Sequence, residues 1–172
     1  MKSASYVISL IATFLGLCEP FGKKMKTILV LNFLGNFLVG TSYILICGYS
    51  GAIICFTACM QTVVNYTYES RKKKIPKTVI IFHTASFLCV NLVSFTHWYD
   101  VIALAAALLF VFSVAQTDAK YYRVLYVTNS FLWIIYDFFA EAYGNLFTHI
   151  VLFAATTIAI IVRDIRTKKQ LL

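Results

Sequence analysis

Seven apolar runs, each closed by a polar or glycine-containing break, account for nearly the whole chain. They are Ala4 to Cys18, Thr27 to Cys47, Ser50 to Tyr68, Thr78 to Thr96, Val101 to Gln116, Tyr121 to Ala140 and Asn145 to Val162. A helix crossing a hydrocarbon core of about 30 Å needs about 20 residues, so each run is predicted to be one membrane-spanning helix. The first and fifth runs are short, and cross only with their flanking turns or through a thinned bilayer. A count of six is the alternative, reached if Thr78 to Gln116 dips without crossing or if the first run is a cleaved signal peptide. No small-x-small site follows the first run, and His97, Trp98, Tyr99 and Asp100 form the polar, aromatic break of a membrane interface, which favours seven.

Charge adds a direction to this pattern. Of the 15 Lys and Arg residues, all but Lys2 fall in four clusters: Lys23, Lys24 and Lys26; Arg71 to Lys74 with Lys77; Lys120 and Arg123; Arg163, Arg166, Lys168 and Lys169. The intervening breaks near Gly48, Trp98 and Gly144 carry none. Basic loops are retained in the cytoplasm, so the amino terminus is expected outside and the carboxyl tail inside. Composition excludes a soluble globule: 60% of residues are hydrophobic, 13% are charged and the mean hydropathy is +0.80. The net charge of +8 does not indicate a nucleic-acid partner, because the basic tracts sit at the ends of apolar runs, where lipid phosphate accounts for them.

A repeat is legible within the seven runs. Glu19 and Gln116, Lys23 and Lys120, Lys26 and Arg123, Val30 and Val127, and Asn32 and Asn129 are each 97 residues apart. Together with the hydropathy this predicts three spans, a connecting span, then three spans again. The odd linker gives both halves the same orientation, hence two parallel repeats related by an axis along the membrane normal. The expected units are residues 1–70, a basic loop and linker helix over 71–98, a second repeat over 99–163, and a basic tail over 164–172. Shared loop composition is the competing explanation of so short a repeat.

Ionisable groups at membrane depth cost about 3 kcal/mol, so each asks for a reason. Asp137 and His149 lie at similar depth on consecutive spans and are predicted to meet, with Trp133 and Tyr136 one turn away as an aromatic wall. The pair either grips a solute and titrates, or simply joins two helices at about 0.6 kcal/mol. Asn32 and Asn129 are candidates because equivalent positions in two repeats converge on the shared axis; Asn36, Gln61 and Asn65 read as polar bridges between helices. Glu19, beside Pro20 and opposite Lys23 and Lys24, is expected to be interfacial, and His83 to pack within the linker helix. Gly35, Gly40, Gly48 and Gly51 read as close helix approaches and turns.

The five cysteines contain no C-x-x-C pair, and no H-E-x-x-H, G-x-S-x-G, P-loop or dinucleotide-binding turn occurs. No metal, cofactor or enzymatic activity is expected.

Trp133, Ile134, Ile135, Tyr136 and Asp137 resemble the W-x-x-Y-G segment of the SWEET and PQ-loop carriers, and His149 stands where that repeat has a substrate-facing Asn. Pro20 and Pro76 are the only prolines, so the mid-helix prolines and the Pro-Gln pair of those carriers are absent. A closer resemblance, over nearly the full length, is to the YgjV family of bacterial inner-membrane proteins, through Trp133 to Asp137, Gly144, His149 and Arg163. The resemblance implies an all-α, multi-pass protein of the bacterial inner membrane. The three-plus-one-plus-three architecture further implies a carrier of a small polar or aromatic solute, with Asp137, His149, Trp133, Tyr136, Asn32 and Asn129 at its site. A non-transporting membrane scaffold is the alternative. The expected partners are the lipid bilayer, such a solute and a second copy of the chain.

Overall fold

The computed structural model describes residues 2–166, and over them the chain is α-helical with no strand. The helices are α1 (Lys2–Cys18), α2 (Met25–Leu45), α3 (Tyr49–Ser70), α4 (Lys77–Ser94), α5 (Asp100–Val114), α6 (Ala119–Phe139) and α7 (Tyr143–Ala159). A π-helical segment, Ile160–Arg166, continues α7. Each apolar run of the sequence is thus one helix, with ends within two or three residues of those predicted. At 1.5 Å per residue the longest, α3, spans about 33 Å. The basic tail expected over 164–172 lies largely outside the described residues.

Three helices end alike. After α2, α3 and α6 the chain turns through a non-glycine residue at positive φ: Cys47 (62°), Lys72 (53°) and Glu141 (54°). The amide one residue later donates back into the last turn, from Gly48 to Tyr43 O, Lys73 to Tyr68 O and Ala142 to Asp137 O. This is the Schellman closure, which satisfies helix-end carbonyls that would otherwise be orphaned. It makes the connections over 46–48 and 140–142 short, so α2 with α3 and α6 with α7 form antiparallel hairpins.

The helices form a ring. α1, α2, α3, α5, α6 and α7 each pack on the next, α7 returns to α1, and α4 lies outside against α3 and α5. The ring is polar inside and apolar outside. Ser5, Ser9, Thr13, Asn32, Gln61, Asn129, Asp137, Asn145 and Thr148 are buried, whereas Phe14 is 71% exposed and Val93, on α4, is 87% exposed. Water does not tolerate so much continuous apolar surface, and hydrocarbon does.

By length and apolarity, α2, α4 and α7 extended to Asp164 qualify as membrane spans, with α1 and α5 as shorter apolar helices. α3 and α6 are long enough but more polar. The reason is where their polar residues go: Gln61, Asn65, Arg123, Asn129 and Asp137 all turn inward.

Serines and threonines join α1 to its neighbours. Ser5 and Ser9 meet the Ser42 hydroxyl at 2.6 and 2.8 Å, Ser9 donates to Asn145 (2.7 Å), and Thr13 meets Thr148 (2.8 Å). Small side chains permit the close backbone approach on which dispersion and hydrogen bonding between apolar helices depend. Gly16 continues this stripe, and a Cβ there would stand 2.5 Å from Leu152 on α7.

Candidate functional site

A cavity of about 40 Å³ lies inside the ring and is lined from all seven helices. Its polar lining is Glu19, Asn32, Asn36, Asn129, Thr148 and His149. One end of the bundle gathers the loops bearing Lys and Arg. There the Glu19 carboxyl meets Tyr122 at the start of α6, and Arg123 reaches both Pro20 and Asp164. The other end gathers the breaks without Lys or Arg, with Tyr99 packed edge-on against Tyr136 at 5.7 Å.

At the end without Lys or Arg, Asp137 is wholly buried, and its Oδ2 lies 2.6 Å from Nδ1 of His149. The hairpin brings them together: Asp137 is in the last turn of α6 and His149 in the second turn of α7, so both sit at similar distances from the connection. The Tyr43 hydroxyl of α2 donates to the other carboxylate oxygen. Trp133, one turn before Asp137, stacks on the His149 ring with centroids 5.6 Å apart and planes 15° from parallel. Tyr136 stands edge-on to Trp133 at 5.3 Å and to Tyr43 at 6.1 Å. Tyr43 owes its place to glycine, since a Cβ on Gly51 or Gly48 would come 3.0 or 3.2 Å from its ring. A buried carboxylate with one hydroxyl donor and one ionisable ring can hold charge or pass a proton, and the indole beside it offers a face to an apolar or cationic solute.

At the basic end the arrangement differs. Glu19 follows α1 directly and is 2% exposed, where an interfacial carboxylate opposite lysines was expected. The chain turns at Pro20 and carries the side chain inward, while Lys23 and Lys24 stay exposed. Asn32 Nδ2 donates to Glu19 Oε1 at 2.9 Å, and the Tyr122 hydroxyl donates to the same oxygen. No cation lies within ion-pairing distance of it among the described residues. Burial pushes the carboxyl up to about 7, against the opposing pull of the Tyr122, Asn32 and Tyr126 hydrogen bonds. Beside it Arg123 is paired elsewhere, with Nη2 and Nε to Asp164 at 2.5 and 3.0 Å and Nη1 to the Pro20 carbonyl at 3.3 Å.

The two asparagines differ as well. Asn32 Oδ1 accepts from Asn36 (3.0 Å) and Thr62 (3.2 Å), making it the hub of a network, whereas Asn129 donates to the Ala106 carbonyl at 2.5 Å. Both line the cavity. Helix boundaries recur at 94 residues, as with Met25 and Ala119 or Tyr49 and Tyr143, where the sequence pairs are 97 apart. The three-residue difference is a little under one turn, so Asn32 and Asn129 still address the same space without being structural counterparts. In the 94-residue register Tyr43 matches Asp137, and these two are hydrogen-bonded.

Several other expectations have a place. Gln61 and Asn65 donate to the Val111 and Val114 carbonyls (3.2 and 3.1 Å), bridging α3 to α5. His83 is buried on α4, outside the ring, with Nε2 lacking a partner. Gly35 is not a close approach: nothing lies within 4 Å of a Cβ there, and it lines the cavity. Tyr43, Tyr122 and the Ser5, Ser9 and Thr13 stripe are absent from the sequence reading. The four-residue spacing of the stripe is visible in the sequence, but nothing local distinguishes two among 11 tyrosines. Among the described residues no three His, Cys, Asp or Glu side chains are gathered to hold a metal ion.

Residues 3–168 match the Imp-YgjV family of bacterial inner membrane proteins, and the chain belongs to that family. No curated protein and no solved structure matches it.

Proposed function

We propose that this inner membrane protein is a carrier of a small polar or aromatic solute, built from two parallel three-helix units, α1 to α3 and α5 to α7, that rock about the central cavity. One observation carries the reading: towards each end of the central cavity a hydrogen-bonded cluster joins the two units, and in this reading each cluster is a seal. Tyr43 of the first unit bonds Asp137 of the second, and Tyr122 of the second bonds Glu19 of the first. Seals of this kind, opened alternately, are what alternating access requires.

The packing is compatible with the division, because exchanging α1, α2 and α3 for α5, α6 and α7 leaves the neighbours around the ring unchanged, and only α4, packed on α3 and α5, breaks the symmetry. All seven helices cross the membrane in this reading, with α3 and α6 presenting residues such as Met60, Val63, Val124 and Phe131 to lipid. The basic end faces the cytoplasm, as positive loops do. In this reading the architecture resembles that of the SWEET carriers: Trp133, His149, Asn32 and Asn129, which line the cavity, form the solute contacts, and Asp137 and Tyr136, which do not line it, hold His149 and Trp133 from behind.

A scaffold without transport is the second reading, and the cavity volume favours it. About 40 Å³ holds a few waters and no solute. The carrier reading therefore requires the cavity to widen before it admits a solute. A thermal-shift screen of the purified protein against sugars, vitamins and amino acids separates the two. The carrier predicts a reproducible stabilisation by one solute class, lost in Trp133→Ala and in His149→Ala. No shift with any class leaves the scaffold.

A further inference from the structure

We propose that Glu19 is the binding site of a coupling proton, exchanged between the central cavity and the basic end of the bundle. The proposal rests on the carrier reading and names its coupling ion.

The geometry begins with what Glu19 lacks. Its oxygen faces Asn32 from α2 and Tyr122 from α6, with Tyr126 of α6 also against the carboxyl, and all three are neutral polar groups. Arg123, the nearest cation on α6, is spent on Asp164 and the Pro20 carbonyl. Lys23 and Lys24 are exposed on the connecting segment, and Lys26 is half-buried at the start of α2. A charged carboxylate in this pocket has hydrogen-bond dipoles but no counter-ion; a neutral carboxyl keeps the same partners and loses the cost of burying charge. The acid at the opposite end has a histidine 2.6 Å away to share its charge. Glu19 also lines the cavity, so the proton and the solute occupy one space.

Coupling follows from the cost of burying charge at Glu19, which outweighs the stronger bond that Tyr122 makes to a carboxylate. With its proton, Glu19 rests against α6 and closes the basic end. Without it, the carboxylate is drawn towards water and the contact between the end of α1 and the start of α6 loosens. One proton is bound or released per cycle, and nothing is oxidised or reduced.

Cys55 of α3 reports the opening, because it is buried and lines the cavity. In the full chain with Cys18, Cys47, Cys59 and Cys89 replaced by serine, the rate of Cys55 alkylation by N-ethylmaleimide is measured in membranes from pH 6 to pH 8. The same measurement on Glu19→Gln cancels the general rise in thiol reactivity with pH. The ratio of the two rates is expected to climb about tenfold across this range, following the deprotonation of a group with a midpoint near neutrality. A flat ratio overturns the proton site while leaving the carrier. Failure of Cys55 to react in either chain at any pH means the cavity does not open, and removes the carrier and the proton site together. Tyr122→Phe is the second variant, needed if Glu19→Gln does not fold. It removes a donor that favours the charged form, so the midpoint must rise; an unmoved midpoint overturns the proposal.

Discussion

Towards each end of the bundle a buried acid, Asp137 or Glu19, is capped by a tyrosine from a helix distant in sequence, yet the two solve the burial of charge differently. Asp137 has an ionisable partner in His149, held by the stacked indole of Trp133. Glu19 has Asn32 and Tyr122, and no cation. A paired acid stays put because removing either partner strands the other. An unpaired acid in the same solvent is poised to exchange its proton. The difference is topological: Asp137 closes a hairpin whose other arm supplies the histidine, whereas Glu19 sits where the chain turns at Pro20 beside helices contributing neutral groups.

The strongest way to break this comparison is Asp137→Ala. It leaves His149 and Tyr43 without their acceptor at a fully buried site, and the expected cost is about 3 to 5 kcal/mol of stability. Unfolding in detergent measures it, and a cost no larger than that of Glu19→Gln would erase the distinction between the ends.

The next effect is a pH dependence. Glu19 is raised from an ordinary value of 4.5 to about 7, so the folded state binds a proton that the unfolded state has released between those values. Its contribution to stability is complete below about 4.5 and is gone once pH has risen through about 7, a loss on the order of 3 kcal/mol. Thermal unfolding from pH 4.5 to 8 is expected to fall more steeply for the native chain than for Glu19→Gln. Parallel curves would mean that burial does not raise the Glu19 carboxyl above its ordinary value.

A smaller change tests the wall between the ends. Ser9→Ala removes bonds to both Ser42 and Asn145, and the expected loss is about 1 kcal/mol, given roughly 0.6 for a typical polar contact between membrane helices. A loss above about 3 kcal/mol would show that α1 is held by this ladder more than by packing.

The smallest effect is at Gly35, where a methyl group meets nothing within 4 Å. Gly35→Ala is expected to stabilise α2 by up to about 1 kcal/mol through backbone entropy alone. A destabilised variant would mean that α2 closes more tightly than the cavity at Gly35 allows.

Much of the fold is legible in the chain because hydrophobic length and loop charge are local properties. Thr27 to Cys47 against Met25–Leu45, and Tyr121 to Ala140 against Ala119–Phe139, differ by no more than two residues at any end. The meeting of Asp137 and His149 is legible too, since a short hairpin ties depth on one helix to depth on the next. Glu19 is misread for a related reason. Its neighbours in sequence are lysines, and only the crossing of α6 brings Tyr122, 103 residues away, against it. Tyr43 is missed in the same way, lying 94 residues from the aspartate it caps.

Apolar run length, alternating loop charge and the scarcity of buried ionisable groups determine an all-helical membrane protein and most of its candidate polar residues, because each follows from what hydrocarbon demands of a local segment. Which carboxyl gains a histidine and which does not was decided only by the ring of packed helices. That depends on which faces of distant segments are pressed together, and a periodic apolar pattern leaves the facing partner unspecified.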